Sequence, residues 1–207
     1  MPRKLLPAAL AAVAVLSLPS FFAREAAAQS TGTPVFHAPY RAFERNEFGL
    51  VMSDQGNISV EGFWGFSHTA AKWDFKIRGG VQDNENGNAA LLLGVDARFR
   101  LIDQTEDFPL DGAFITGVGT SLVEDFSRLF IPIGLSLGRR INFENSNMSI
   151  VPYVQPVIIP VIGDSDDDVA VALGLGGDLR INRRFELRLG IGLGDLENFS
   201  IGFSITR

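Results

Sequence analysis

Hydrophobic and polar positions alternate with a period of two along FELRLGIGLGDLENFSIGFSITR, residues 185 to 207. Phe185, Leu187, Leu189, Ile191 and Leu193 form one row, continued by Phe199, Ile201, Phe203 and Ile205. Glu186, Arg188, Gly190, Gly192 and Gly194 form the other, continued by Ser200, Gly202, Ser204 and Thr206. Successive strand side chains point to opposite faces, so the pattern predicts two strands joined by the turn DLEN. The alternation recurs upstream and predicts strands over 46–53, 57–67, 72–82, 89–101, 111–122, 129–138, 149–162, 169–181, 185–194 and 199–206. Helical periodicity is absent. The count is ten, with eight as the alternative, and most segments approach the roughly 9–11 residues that a tilted membrane strand needs. Residues 29 to 45 carry Pro34 and Pro39 and show no period, so they read as an exposed lead-in.

Two hairpins give the alternation chemical content. A three-residue turn Asn182-Arg183-Arg184 places Ile181 opposite Phe185, which sets Arg180 against Glu186 and Asp178 against Arg188. Pairing Val81 with Leu91 likewise sets Lys76 against Asp96 and Asp74 against Arg98. All four pairs fall on the glycine-bearing face, where they select register more than they add stability.

Alternation alone does not say which row is inside. On the outside, a face of Gly174, Gly176, Gly190, Gly192, Gly194 and Gly202 would lose packing and strand propensity for no return. Inside a narrow barrel, small residues leave room for paired charges. A row of Leu, Ile, Val and Phe facing hydrocarbon needs no fitted partner. The expectation is therefore apolar side out, with Trp64, Phe66, Trp73, Phe99, Tyr153 and Phe185 near one rim as an interfacial aromatic girdle.

Composition narrows the class further. Arg3 and Lys4, the apolar stretch Leu5 to Leu18, and Ala26-Ala27-Ala28 before Gln29 have the form of a secretory signal over residues 1 to 28. Its removal takes three of 18 basic and one of 24 acidic residues, leaving 15 against 23 and a formal charge of −8. That balance argues against a nucleic-acid partner. The chain has no Cys, hence no disulfide framework and no thiolate metal site. Past residue 28, no stretch reaches the roughly 18 apolar residues of a membrane helix.

In pattern, signal and FSIGFSIT ending, residues 46 to 207 resemble the small, eight-to-ten-stranded outer-membrane β-barrels of Gram-negative bacteria. The resemblance implies an antiparallel up-and-down transmembrane barrel, exported through the periplasm and held in outer-membrane lipid. It also implies recognition by the barrel-assembly machinery, which reads a terminal aromatic residue. Here the chain departs from the pattern, ending in Arg207 with Phe203 four residues earlier. The domain reading is signal peptide over 1–28, periplasmic lead-in over 29–45 and barrel over 46–207.

Candidate chemistry is sparse. Asp164, Asp166 and Asp168 have the spacing that opens a calcium loop, but Val169 stands where glycine is required and Leu175 where the last glutamate belongs. A weak surface cation loop is what remains. The histidines are His37 and His68; Ser67 precedes His68, but adjacent strand residues face opposite ways, which disfavours a nucleophile and base pair. No catalytic residue, cofactor or resident metal is expected. Pro152, Pro156 and Pro160 share parity in VPYVQPVIIPVI, so all three remove ladder donors toward one neighbour, and a weakened seam is expected there. The eight paired charges should fill much of the lumen near the termini, and short loops predict neither plug nor receptor surface. The functional expectation is a non-enzymatic barrel with an envelope-structural role or a narrow small-solute passage. The alternatives are a secreted soluble barrel holding a hydrophobic ligand inside its apolar row, and a lipid-modifying barrel enzyme.

Overall fold

A computed structural model describes residues 36–39, 46–54, 56–66, 72–83, 89–123, 126–163 and 168–206. The expected signal segment lies outside the described residues, as do His68, Asp164, Asp166 and Arg207.

Every described element is a strand. In chain order they are β1 (Glu47–Asp54), β2 (Ile58–Phe66), β3 (Trp73–Asp83), β4 (Ala89–Ile102), β5 (Asp111–Val123), β6 (Phe126–Phe130), β7 (Ile133–Gly138), β8 (Ile141–Asn142), β9 (Ser149–Gly163), β10 (Asp168–Arg180), β11 (Phe185–Gly194) and β12 (Asn198–Thr206). β6 and β7 both pair with β5 on one side and β9 on the other, so they are two halves of one wall strand broken at Ile131-Pro132. Gly117 still donates to the Pro132 carbonyl at 3.1 Å, which carries the ladder past the break. β8 is a two-residue stub on β9. The wall therefore has ten strands. β1 pairs with β12 from Glu47 opposite Thr206 to Asp54 opposite Phe199, closing the sheet into an antiparallel barrel without a free edge.

Both hairpin registers follow the expected pairing. Ile181 donates to the Phe185 carbonyl at 3.0 Å, with Asp178 opposite Arg188 and Arg180 opposite Glu186. Val81 stands opposite Leu91, with Lys76 opposite Asp96 and Asp74 opposite Arg98.

Burial runs opposite to that of a water-soluble protein. Leu50, Ile58, Val81, Val171 and Phe199 each expose more than half of their surface. Glu47, Ser136, Gln155, Glu186 and Ser204 expose none. The apolar row faces out and the polar row lines the lumen, which overturns the soluble barrel with its apolar row inside. With no water inside a bilayer to satisfy backbone groups, a closed barrel is the sheet form that can span one.

Outward-facing aromatics gather at the rim holding both ends of the barrel. Phe48 stacks on Trp64 at 6.1 Å, and Trp64, Phe66, Phe75 and Trp73 continue as a chain of ring contacts. Phe185 stacks on Phe203 at 6.0 Å, and Phe99 stands opposite Trp73. Tyr153 is a correction: it is expected in this girdle, but it faces inward and is buried. Its parity with Gln155 and Val157 on β9 puts it in the lumen, where the bare backbone of Gly176 makes room for the ring.

The lead-in is the second correction. Of residues 29–45, Phe36, Ala38 and Pro39 are buried rather than exposed, and His37 nearly so. They lie inside the barrel, so an internal plug is present where short loops predict none.

Candidate functional site: the occupied lumen

Two chemistries divide the interior. Near the rim with the termini the lining is ionic. Toward the opposite rim, β4, β6, β9 and β10 turn Leu92, Phe130, Val157, Ile159 and Ala172 inward. Alternation on each strand sets the direction of every side chain, and glycines on the neighbouring strand set the space. A Cβ on Gly65 would fall on Glu47, one on Gly80 on Glu61, one on Gly94 on Arg78, and one on Gly117 on Asp96. Each large ion therefore lies over a stretch of backbone that carries no side chain.

Arg188 is the centre of one cluster. Its Nη2 lies 2.6 Å from Glu186 Oε1 and 2.8 Å from Glu47 Oε2, and its Nε lies 3.9 Å from Asp178. Its guanidinium also lies over the Phe63 ring at 5.2 Å, and Lys76 Nζ lies 4.7 Å from that ring. Phe63 occupies the gap left by Gly49. The rings and carboxylates together let two cations share one small volume.

Asp96 is the centre of the second. Arg78 Nε stands 3.2 Å away, and Arg78 also reaches toward Glu61 at 3.9 Å. Arg98 holds Asp74 through two bonds of 3.0 and 3.1 Å, and its Nη1 donates to the Ala38 carbonyl at 2.6 Å. At the rim, Arg100 bridges Asp103 and Asp111, both at 2.8 Å.

The lead-in joins the two walls. His37 Nδ1 lies 3.3 Å from Lys76 Nζ, and its Nε2 lies 3.5 Å from Asp96 Oδ2. An acceptor Nδ1 facing an ammonium leaves the imidazole proton on Nε2, aimed at Asp96. Burial, with the Lys76 charge adding to it, pulls the His37 pKa down to about 4, so the ring is neutral at physiological pH. The His37 backbone N–H donates to Gln155 Oε1 at 2.7 Å, and its carbonyl accepts from Ser136 Oγ. Phe36 sits against Gly174 and Gly192, and it packs with Val157, Ile159 and Leu196 in the apolar half.

The structure thus brings Asp74 to Arg98 and Asp178 to Arg188. Lys76 and Asp96 stand opposite each other, but both also turn to His37. Glu186 stands opposite Arg180 and is gripped by Arg188, while Arg180 Nε donates to the Asn182 carbonyl at 3.4 Å. Asp168 begins β10 and accepts from the Val169 N–H at 2.7 Å. Among the described residues, no three metal-binding side chains converge. Glu47, Glu61 and Arg78 were not singled out from sequence, although their parity on the polar row marks them as inward; Phe36 and His37 had no periodic signal to reveal them.

A cavity of about 30 Å³ remains between Phe36, Lys76, Tyr153, Asp178, Arg188 and Ser200. It holds about two waters. As chemistry, the site is a set of fixed, opposed charges around a docked segment of the chain.

No family model matches the chain, and no curated protein matches it. It is similar to a de novo designed transmembrane β-barrel, at 13% identity over 81% of this chain and 98% of that one, with a TM-score of 0.42. It is also similar to a bacterial polysaccharide outer-membrane secretin, at 11% identity over 81% of this chain and 66% of that one, with a TM-score of 0.47. A third likeness is to the β domain of the Bordetella autotransporter Brka, at 11% identity over 79% of this chain and 100% of that one, with a TM-score of 0.49. These are likenesses of overall form. The strand pairing and the outward apolar row are what make this chain a closed, ten-stranded antiparallel barrel with an apolar outer face.

Proposed function

We propose that this is a non-enzymatic outer-membrane β-barrel with an envelope-structural role, held shut by its own lumen. The observation that carries the reading is the docking of Phe36–Pro39 across an interior already cross-linked by Arg188, Arg78 and Arg98. An enzyme needs a group positioned on a reacting atom, whereas both His37 nitrogens face fixed charges. The chain would reach its place through the periplasm and the barrel-assembly machinery, with outer-membrane lipid against its apolar jacket.

Planar-bilayer recording on the full-length protein tests the sealed lumen. The expected result is no stepwise conductance above the bare-membrane leak. A narrow small-solute passage is the second reading, favoured by the water-sized cavity beside Lys76 and Asp178. Reproducible ohmic steps would overturn the sealed barrel in its favour.

A further inference from the structure

Alternate residues of an antiparallel strand turn both N–H and C=O toward the same neighbour. Ile131 donates to the Pro160 carbonyl at 3.0 Å and Arg139 to the Pro152 carbonyl at 3.3 Å. The even-numbered residues of β9 therefore face the β6–β7 wall strand, and Pro152, Pro156 and Pro160 each withhold a donor from it. The pairing of β7 with β9 is correspondingly broken: Ile133–Gly134 and Leu137–Gly138 are in register, and Leu135–Ser136 between them is not paired. The flanking pairs place Leu135 opposite Pro156 and Ser136 opposite Gln155. On its other side β9 pairs with β10 over thirteen successive residues.

The lead-in meets the wall at this gap. Ser136 on β7 donates to the His37 carbonyl, and Gln155 on β9 accepts from the His37 N–H. One residue's backbone thus bridges, from inside, the two strands that the prolines leave under-bonded. The far side of the same residue is tied to the opposite wall through Lys76 and Asp96, and Arg98 holds the next carbonyl. We propose that Phe36–Pro39 is an internal latch on a lateral joint between β9 and β6–β7, and that releasing it lets the joint part while the rest of the wall stays paired. The inference goes beyond the sealed-barrel reading and stands whether or not the barrel conducts.

Amide exchange on the full-length protein in micelles tests it. The variant Ser136→Ala with Gln155→Leu removes both contacts to His37. The expected result is exchange at least tenfold faster at Ile131, Ile133 and Leu137, with β2 and β3 unchanged. Restoring a ladder donor with Pro156→Ala in that background should slow those amides again. In the native background, Pro156→Ala alone should slow exchange along the joint, which keeps the test informative if the double variant does not fold. Unchanged protection in both variants, or acceleration spread evenly around the barrel, would overturn the proposal.

Discussion

Arg188→Met removes a cation that lies within 2.8 Å of Glu47 and Glu186 and 3.9 Å from Asp178. Both glutamates are fully buried, so losing the guanidinium takes an ionic partner from two carboxylates that water does not reach. Breaking a buried ion pair from one side costs about 3–5 kcal/mol, mostly as the uncompensated charge left behind. Met fills a similar volume, so cavity formation adds little. With a urea slope of about 2 kcal/mol per molar, the unfolding midpoint in lipid vesicles should fall by about 1.5–2.5 M. Adding Glu47→Gln and Glu186→Gln in the same chain should recover at least half of that loss, because the stranded charges are then gone. A midpoint shift under about 0.5 M would refute the reasoning, and so would a triple variant no more stable than Arg188→Met alone.

Three further outcomes are expected. The His37 pKa is depressed when docked, so docking is at full strength above its ordinary value of 6.5 and weakens as pH falls toward about 4. The limit is about 3 kcal/mol. The protection factor of the His37 N–H, which is bonded to Gln155, should fall accordingly from pH 7 to 4 once the intrinsic pH dependence of exchange is divided out, and His37→Gln should abolish that fall. Gly174→Val would place its Cβ on the Phe36 ring and cost about 1–3 kcal/mol; Phe36→Ala should relieve most of it in a double-mutant cycle read by urea midpoint. Leu189→Arg, on the outward face of β11, should cost about 2–4 kcal/mol in vesicles, whereas inward Ser200→Ala should cost under about 1 kcal/mol.

The wall was legible in the sequence because a period of two needs no knowledge of the partner strand. Register was legible where charges repeated on both arms of a hairpin, as in Asp178 with Arg188 and Asp74 with Arg98. The orientation came from Gly174, Gly190 and Gly192, whose bare backbone suits a crowded interior. Two things were not legible. Long-range partners such as Glu47 and Arg188, 141 positions apart, meet only because the barrel closes. The lead-in carries no alternation, since Phe36–Pro39 is held by contacts to six different strands rather than by a ladder. Tyr153 shows the same limit: an aromatic near a rim reads as girdle until parity is traced through its neighbours.

The direction of the apolar row underlies everything else, and nitroxide scanning of β11 in lipid vesicles measures it residue by residue. The chain has no native cysteine to interfere. Labels at 187, 189, 191 and 193 should be open to oxygen dissolved in the bilayer and shielded from a water-soluble nickel complex, while labels at 188, 190 and 192 should be shielded from oxygen. Labels at the odd positions that are closed to both reagents would put those leucines inside a packed core and contradict the account.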